Sequence, residues 1–298
     1  MDYRILGKSN LNISRIGFGT MSLKPDQPDF NQMIDAAIDK GINYFDTADI
    51  YDKGENEIML GKVFKGKRDK IIIATKAGNE WRPDGSAWDW NPRKEYILKC
   101  ADESLKRLQT DYLDLFQLHG GTMQDNIEES IEAFEILLKQ GKILNYGLSS
   151  IRPNVIREHV KHGTMVSVMT QYSLLDKRPE ESTLNLLLEN NIGVLTRGSV
   201  ASGLLINKPA KEYLGYSEPE VKQAKKLLDR MSDNNKKSSQ IAIQYVLNHP
   251  AVTSAIIGMR TMDQLEDAVK AVTLPPLSAE EMAILHREIP AKVYAEHR

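Results

Sequence analysis

Eight short apolar runs are spaced along the chain, and most intervals between them carry apolar residues at helical spacing. The runs predict strands at 14–21, 42–47, 71–76, 113–119, 143–149, 166–171, 193–198 and 253–258. Clear helical stripes begin at Phe30, Ile97 and Ile127, and the first and third of them end at Gly41 and Gly141. Regular alternation of strand and helix predicts a parallel sheet, and eight such units predict an α/β fold closed into a (β/α)8 TIM barrel.

Two segments fall outside this repeat. Residues 1–13 form no strand–helix unit, and a short hairpin around Gly7 and Lys8 is expected to close the bottom of the barrel. The stripe from Val221 to Met231 predicts an extra helix before the one at about 238–248. No interior linker or low-complexity tract interrupts the pattern, so we expect residues 1–298 to form a single domain.

Composition and charge narrow the class of protein. The formal net charge is −2 and the pI about 6.3, so we expect no nucleic-acid partner. Cys100 is the single cysteine, which excludes an internal disulfide and suits a buried helix position in a reducing compartment. Residues 1–6 lack the apolar run of a signal peptide, and no stretch reaches the roughly 18–20 apolar residues that span a bilayer. We therefore expect a cytoplasmic protein with no membrane partner.

Three of the predicted strands end on residues that can hold or move a proton. Asp46, Lys76 and His119 close the second, third and fourth strands, and Tyr51 follows Asp46 by one short loop. All strand C-termini of a parallel barrel open on one face, where barrel enzymes perform their chemistry. An acid, a phenol, an ammonium and an imidazole are therefore expected to converge on one cleft.

The longest connection between a strand and a helix, from Ala77 to about Pro92, contains all three tryptophans of the chain. Loops of this length are usually functional or mobile. Trp81, Trp88 and Trp90 are therefore candidates for the wall of an apolar substrate pocket at the barrel mouth. The alternative is that the rings pack onto the barrel rim, and the two roles can apply to different rings.

Nucleotide and metal signatures of other folds are missing. The first strand is not followed by Gly-x-Gly-x-x-Gly, so a Rossmann cofactor site is not indicated. The six histidines are scattered, and neither His-x-x-x-His nor Cys-x-x-Cys occurs, so no metal site is expected.

Segments along nearly the whole chain resemble the aldo-keto reductase family, in order and at matching spacing. Residues 41–51, with the sequence Gly-Ile-Asn-Tyr-Phe-Asp-Thr-Ala-Asp-Ile-Tyr, closely resemble the family signature. Further similar segments are 74–76, 104–108, 113–119, 146–150 and 256–260. The resemblance implies an NADPH-dependent carbonyl reductase on a (β/α)8 barrel. The tryptophan loop and the Glu-Asn-Glu sequence at 55–57 are more similar to the bacterial and potassium-channel-β branches than to animal aldose reductases.

The resemblance also implies roles for the four strand-end residues. Carbonyl reduction leaves charge on the oxygen, and Tyr51 is expected to deliver the proton that neutralises it. The ammonium of Lys76 favours the phenolate, and Asp46 keeps Lys76 charged and oriented. His119 is expected to donate an N–H to the carbonyl oxygen. Singly, each residue has an ordinary explanation as a strand-end salt bridge, a rim tyrosine or a hydrogen-bonded histidine, but the joint spacing favours catalysis.

Positions that would hold the nicotinamide match the family less closely. Gly19 and Thr20 end the first predicted strand, at the position where members of the family lie behind the nicotinamide ring. Ser149 matches the serine that binds the carboxamide in the family. The family's carboxamide-binding glutamine falls at Met169, which cannot make that contact. Gln171 lies two residues on, on the same face of the strand, and is the candidate substitute.

Arg197 is the sharpest departure from the family pattern. It stands where many members stack an aromatic ring under the nicotinamide. A planar guanidinium stacks similarly, but its charge disfavours the oxidised, positive ring. The alternative role for Arg197 is a salt bridge at the rim.

Phosphate contacts are expected after the last two strands. Backbone N–H groups of loop 198–203, which includes Gly198, Val200 and Ser202, are expected to face the pyrophosphate. Gly258 and Arg260 precede a helix, whose N-terminus together with the arginine suits the 2′-phosphate of NADPH. The alternative for Arg260 is a solvated helix cap.

Adenine contacts are expected on that last helix. Gln264 and Asp267 match family positions near the adenine, whereas Ala268 stands where the family often has asparagine, so we expect weaker adenine binding.

An enzyme that reduces aldehyde or ketone carbonyls with NADPH is thus the favoured function. The second hypothesis is a nicotinamide-binding redox sensor or regulatory subunit with weak reductase activity. A barrel aldolase that uses Lys76 as a Schiff base is less favoured, because such a lysine must be neutral and Asp46 stabilises its charge. The expected partner is a small carbonyl substrate, and the sequence makes no prediction of oligomeric state.

Overall fold

The computed structural model describes residues 1–233 and 235–298, and its centre is a closed barrel of eight parallel strands. Around the barrel the strands run in chain order: β3 (Ile16–Gly19), β4 (Tyr44–Asp46), β5 (Ile72–Ala77), β8 (Leu115–Leu118), β9 (Tyr146–Ser149), β10 (Ser167–Gln171), β11 (Gly193–Arg197) and β12 (Val252–Ile257). Each corresponds to one of the eight predicted strands, and most are one to four residues shorter than predicted. The predicted (β/α)8 barrel is confirmed.

Helices follow every barrel strand and cover the outside of the sheet. They are α1 (Phe30–Asp39), α2 (Glu55–Phe64), α3 (Lys94–Leu108), α4 (Ile127–Lys139), α5 (Pro153–His162), α6 (Thr183–Glu189), α7 (Glu218–Met231), α8 (Ser238–Asn248), α9 (Met262–Ala271) and α10 (Ala279–Glu288). The predicted extra helix is α7, and Cys100 is buried in α3 as expected. Within the described residues, every helix is too short or too polar to cross a membrane.

A hairpin of β1 (Tyr3–Ile5) and β2 (Asn12–Ser14) closes the bottom of the barrel, as predicted. Its turn places Gly7 against the start of β10 and β11, where a Cβ atom on residue 7 would lie 2.3 Å from the carbonyl oxygen of Val166. Three hairpin side chains are buried with the interior of the barrel, namely Leu6, Leu11 and Ile13.

The barrel interior has an apolar layer with a polar layer above it. The apolar layer is packed on the hairpin and includes Tyr44, Ala74, Leu115, Met169 and Leu195. Successive side chains of a strand point to opposite faces, so the next inward position on each strand lies two residues later, nearer the strand's C-terminal end. Those positions are Asp46, Lys76, Gln117, Gln171 and Arg197. The alternation therefore brings a row of polar groups to the C-terminal face of the barrel.

The connection between β5 and α3, which was predicted only as a long loop, contains a second hairpin. Its strands are β6 (Asn79–Trp81) and β7 (Trp88–Trp90). Trp81 and Trp88 are register partners whose rings meet edge to face, with centroids 5.4 Å apart. Arg82 binds both carboxylate oxygens of Asp89 on the opposite strand. Cross-strand pairs of this kind stabilise a two-stranded sheet.

Candidate active site

Lys76 and Asp46 form a fully buried ion pair at the C-terminal face of the barrel. Nζ of Lys76 donates to Oδ1 of Asp46 over 2.6 Å and to the carbonyl oxygen of Thr47 over 2.7 Å. Burial by itself lowers the pKa of Lys76, but the carboxylate of Asp46 and the hydroxyl of Tyr51 outweigh it, so the pKa ends above its usual value. The lysine is therefore held as an ammonium.

Gln117, which was not among the residues predicted from the sequence, also holds Asp46. Its Nε2 donates to Oδ2 of Asp46 over 3.3 Å, and the residue is fully buried. Gln117 is the register partner of Lys76 on the neighbouring strand, which brings both side chains to the same carboxylate. A glutamine inside the otherwise apolar run Leu115–Leu118 was the available sequence signal.

Tyr51 stands above this pair in a tight loop between β4 and α2. Its hydroxyl oxygen lies 3.4 Å from Nζ of Lys76, and the phenol is half-buried. Asp52 and Lys53, which follow it, both adopt left-handed backbone conformations with φ of 46° and 55°. Such conformations are costly for residues with side chains, and they concentrate at functional sites.

His119 lies directly after β8 and faces Tyr51. The two rings meet edge to face, with centroids 6.2 Å apart and an interplanar angle of 81°. Burial, with the nearby charges of Lys76 and Arg197, lowers the pKa of His119 to about 3, so the imidazole is neutral at neutral pH. Its Nδ1 is buried without a hydrogen-bond partner among the described residues. The structure thus brings all four predicted strand-end residues together.

The first strand of the barrel, β3, ends beside the same cleft. Gly19 is the register partner of Asp46, and a Cβ atom at residue 19 would lie 3.5 Å from the backbone of Gly258. Thr20 is buried, and its hydroxyl lies 2.9 Å from the Asp46 carbonyl oxygen and 2.7 Å from Oδ1 of Asn56. That hydroxyl is therefore engaged inside the protein.

On the opposite side of the barrel, two predicted cofactor residues bind each other. Gln171 accepts a hydrogen bond from Arg197 over 3.0 Å and donates one to the hydroxyl of Tyr213 over 2.9 Å. Arg197 is exposed, and within the described residues its guanidinium forms no salt bridge, so the alternative role of a salt bridge at the rim does not apply. Ser149 lies on β9 as the register partner of Met169, which is buried in the interior layer.

Two turns beyond β11 and β12 contain the predicted phosphate contacts. Gly198 and Ser202 adopt left-handed conformations with φ of 71° and 56°, which fold loop 198–203, including Val200, into tight turns. Arg260 is exposed just before α9 and has no acidic partner within residues 1–233 and 235–298. Thr261 caps that helix by accepting from the Gln264 backbone N–H. An unpaired guanidinium therefore stands beside a helix N-terminus.

The predicted adenine residues of α9 already have partners. Oε1 of Gln264 accepts from the Arg260 backbone N–H over 2.8 Å. Asp267 binds Nζ of Lys237 over 2.7 Å. Ala268 is buried against the core. Gln264 and Asp267 remain at the surface of the helix, close to Arg260 in sequence.

The three tryptophans take different positions around the mouth. The ring of Trp90 packs over Gly78 and Gly120, where a Cβ atom would lie 2.7 and 2.8 Å from the indole. Its Nε1 donates to Asp125 over 2.9 Å. Gly120 is the residue after His119, so Trp90 borders the cleft.

Trp88 is 52% exposed at the outer edge of the hairpin. Trp81 turns toward Lys53, whose Nζ lies 5.2 Å from the centre of the indole. These two rings therefore extend outward from the cleft, beyond Trp90.

Comparison with known proteins identifies the family of the chain. The chain matches the Aldo/keto reductase family over residues 15–288. The uncharacterized oxidoreductase YqkF of Bacillus subtilis (strain 168) is 45% identical over 307 residues, covering 100% of both chains. An aldo-keto reductase of Schizosaccharomyces pombe, yakc, whose name specifies NADP(+), is 34% identical over 206 residues, covering 66% of this chain and 61% of that protein.

Among solved structures, the holo form of the aldo-keto reductase AKR11C1 from Bacillus halodurans superposes with a TM-score of 0.94. It is 45% identical, and the match covers 100% of this chain and 99% of that one. Because the family match and the shared barrel both extend over nearly the whole chain, this protein belongs to the aldo/keto reductase family and is an oxidoreductase.

Proposed function

We propose that this protein reduces aldehyde or ketone carbonyls to alcohols with NADPH, and that Tyr51 donates the proton. The observation that supports this most directly is the placement of the Lys76 ammonium, which lies 2.6 Å from Asp46 and 3.4 Å from the Tyr51 hydroxyl. A phenol, an ammonium and a neutral imidazole at one cleft are the groups that carbonyl reduction requires.

Proton delivery follows from the order of these contacts. When bound, the reduced nicotinamide supplies the hydride, and the carbonyl oxygen gains charge. Tyr51 transfers its hydroxyl proton to that oxygen, and the nearby Lys76 ammonium stabilises the phenolate that remains. Asp46, itself held by Gln117, keeps the ammonium in place. Electrostatic stabilisation from groups that are already oriented lowers the barrier without reorganisation during the reaction.

His119 acts in its neutral form. Because its pKa is about 3, the imidazole carries a single proton, and we assign that proton to Nε2, which donates it in a hydrogen bond to the carbonyl oxygen. A neutral donor orients the carbonyl without competing with Tyr51 as a proton source.

The residues around the mouth of the barrel fit nicotinamide adenine dinucleotide phosphate. Gly19 and Gly258 contribute no side chains to the rim between β3 and β12, where we assign the nicotinamide ring. Arg197 offers a planar surface for the nicotinamide, with Ser149 and Gln171 as candidate carboxamide partners. The N–H groups around Gly198, Val200 and Ser202 are assigned to the pyrophosphate. The unpaired Arg260 beside the start of α9 is assigned to the 2′-phosphate, and Gln264 and Asp267 to the adenine end.

An apolar part of the substrate is assigned to the tryptophan hairpin. Trp90 has the strongest support, because it packs against the residue that follows His119. Trp88 is placed to extend this wall outward, and Trp81 to support Trp88 from behind. Small carbonyl compounds with an apolar substituent are therefore the proposed substrate class.

The charge of Lys76 disfavours the aldolase alternative. A Schiff-base lysine must lose its proton to attack a carbonyl, whereas Asp46 raises the pKa of Lys76. No feature of the described residues favours a sensor over an enzyme.

Replacement of Tyr51 by phenylalanine tests the proposed acid. Tyr51→Phe should retain NADPH binding and lose at least about two orders of magnitude in the turnover of a panel of aldehydes. Tyr112→Phe is the matched control, because that half-buried ring stacks on Arg68 away from the cleft. Near-normal turnover in Tyr51→Phe would exclude Tyr51 as the proton donor.

A further inference from the structure

Arg107 and Glu57 belong to the family-like segments 104–108 and 55–57, yet the chemistry described above uses neither. They form an ion pair in which Nε of Arg107 donates to Oε2 of Glu57 over 2.6 Å. Glu57 lies in the first turn of α2 with 0% exposure, and Arg107 lies in the last turn of α3. Burial lowers the pKa of Arg107, but the Glu57 carboxylate more than offsets it, so the arginine stays charged.

Glu57 links this pair to the strand that holds the catalytic lysine. The hydroxyl of Thr75 donates to Oε1 of Glu57 over 2.5 Å, and the hydroxyl of Ser104 donates to Oε2 over 3.3 Å. Thr75 immediately precedes Lys76 on β5, and its side chain points to the opposite face of the strand. The outward face of β5 is therefore bonded to the carboxylate of Glu57, while the inward face presents Lys76 to Tyr51.

The stem of Arg107 also lies against the end of the tyrosine loop. Gly54 ends that loop with φ of +90°, and a Cβ atom there would lie 2.9 Å from Cδ of Arg107 and 3.2 Å from its Nε. Arg107 thus contacts the loop with its aliphatic stem and α2 with its guanidinium. One side chain thus contacts both Gly54, at the end of the loop, and Glu57, in the first turn of α2.

The loop also borders a cavity on its α3 side. A cavity of about 240 Å³ lies between the loop, the tryptophan hairpin and α3. Asp49, Ile50 and Lys53 face this cavity. Arg107 is one of the α3 side chains that line the same cavity, and it also contacts Gly54 and Glu57.

We propose that Arg107 and Glu57 are positioning residues, which hold the Tyr51 hydroxyl within reach of Lys76 by fixing the loop and the outward face of β5 to each other. The inference rests on the proposed role of Tyr51. Neither residue touches the cleft, so their effect on turnover passes entirely through the position of Tyr51 relative to Lys76.

A comparison of two buried arginine–carboxylate pairs tests this. Arg68 and Asp114 form a similar pair over 2.6 Å at the other end of the barrel, and the side chains of Arg68 and Arg107 are 23% and 22% exposed. Arg107→Met and Arg68→Met each keep an unbranched stem and remove the guanidinium. Thermal unfolding, NADPH affinity by titration, and kcat and KM for one aldehyde are measured for both variants, at a temperature where both are folded.

We expect the two variants to lose similar stability and to bind NADPH like the wild type. Arg107→Met should lose about tenfold or more in kcat, because small displacements of reacting groups are costly, while Arg68→Met keeps its kcat. Arg107→Lys should recover part of the loss, and it replaces Arg107→Met in the comparison if the latter does not fold. Unchanged kcat in the Arg107 variant, or an equal loss in both pairs, overturns the inference.

Tyr51→Phe distinguishes this inference from the proposed function. If Tyr51→Phe abolishes turnover while Arg107→Met preserves kcat, the positioning role is wrong and Tyr51 remains the proton donor. If Tyr51→Phe turns over normally, the proposed function fails, and the positioning role fails with it.

Discussion

Nη1 of Arg197 donates a hydrogen bond to Oε1 of Gln171 over 3.0 Å, and the two residues are register partners on adjacent strands. Nε2 of the Gln171 amide donates a hydrogen bond to the hydroxyl of Tyr213. One lone pair of Oε1 and one hydrogen of Nε2 remain unused, so Gln171 can bind a carboxamide without giving up either bond. Arg197, in turn, is held at the rim by a neutral partner, so its positive charge is not cancelled locally.

Replacement of Arg197 by tyrosine should separate stacking from charge. An aromatic ring preserves a flat surface under the nicotinamide and removes the repulsion of the oxidised, positive ring. A partly exposed charge near a ring is worth on the order of 1 kcal/mol, so Arg197→Tyr should bind NADP⁺ several-fold more tightly. The affinity for NADPH should change little, because the reduced ring is neutral.

Titration of both cofactor forms measures this effect. Arg230→Tyr, which removes an exposed arginine from α7, controls for the change in net charge. Equal shifts for NADP⁺ and NADPH would show that Arg197 does not lie under the nicotinamide.

Arg260 should determine the choice between NADPH and NADH. Arg260→Ala removes an unpaired guanidinium beside the start of α9, and only NADPH carries the 2′-phosphate assigned to it. Loss of one charge-assisted contact should weaken the binding of NADPH by roughly 1.5–3 kcal/mol and leave the binding of NADH nearly unchanged.

Dissociation constants for the two cofactors decide this prediction. Lys270→Ala, at the other end of the same helix, is the control and should leave both constants unchanged. A similar loss for NADPH and NADH in Arg260→Ala would contradict the assignment.

The barrel and its four strand-end residues were predictable because both depend on local pattern. Apolar runs at regular intervals give the strands, and the period of two along a strand determines which side chains face inward. Asp46 and Lys76 could thus be placed in one layer before any contact was known. The N-terminal hairpin followed from a segment that fitted no strand–helix unit.

Contacts between helices could not be predicted in the same way. The Glu57–Arg107 pair depends on how α2 and α3 are rotated and spaced, and 50 residues separate its members in sequence. The tryptophan hairpin is a different case, because Pro83, Asp84 and Gly85 form a typical turn sequence between Trp81 and Trp88. That signal was present and pointed to a hairpin.

Asp46 should be more important to stability when Lys76 is present than when it is absent. Asp46→Asn leaves a fully buried ammonium without its counter-ion, which typically costs about 3–5 kcal/mol. Adding Lys76→Met removes the uncompensated charge, so the double variant should be more stable than Asp46→Asn alone.

Urea unfolding of the wild type, both single variants and the double variant gives the four free energies of a double-mutant cycle. The coupling free energy between Asp46 and Lys76 should be large and should stabilise the folded protein. Additive effects would mean that the pair contributes little, despite its separation of 2.6 Å.

His119 should make folding stability depend on pH in a predictable direction. Its pKa is about 3 in the folded protein, against an ordinary value of 6.5. Above pH 6.5 neither state holds the extra proton, so the full stability is present. As the pH falls below 6.5, the unfolded chain takes up a proton that the folded protein does not, and stability is lost until the pH reaches the folded-state value.

His119→Asn lacks this dependence. Between pH 7 and pH 5 the free energy of unfolding of the wild type should therefore fall by about 2 kcal/mol more than that of the variant. Denaturant unfolding at the two pH values measures the shift, and other buried histidines such as His159 cancel in the difference. His162→Asn, an exposed replacement on α5, should follow the wild type at both values. A difference between wild type and His119→Asn that stays constant would mean that His119 is not held in its neutral form by burial.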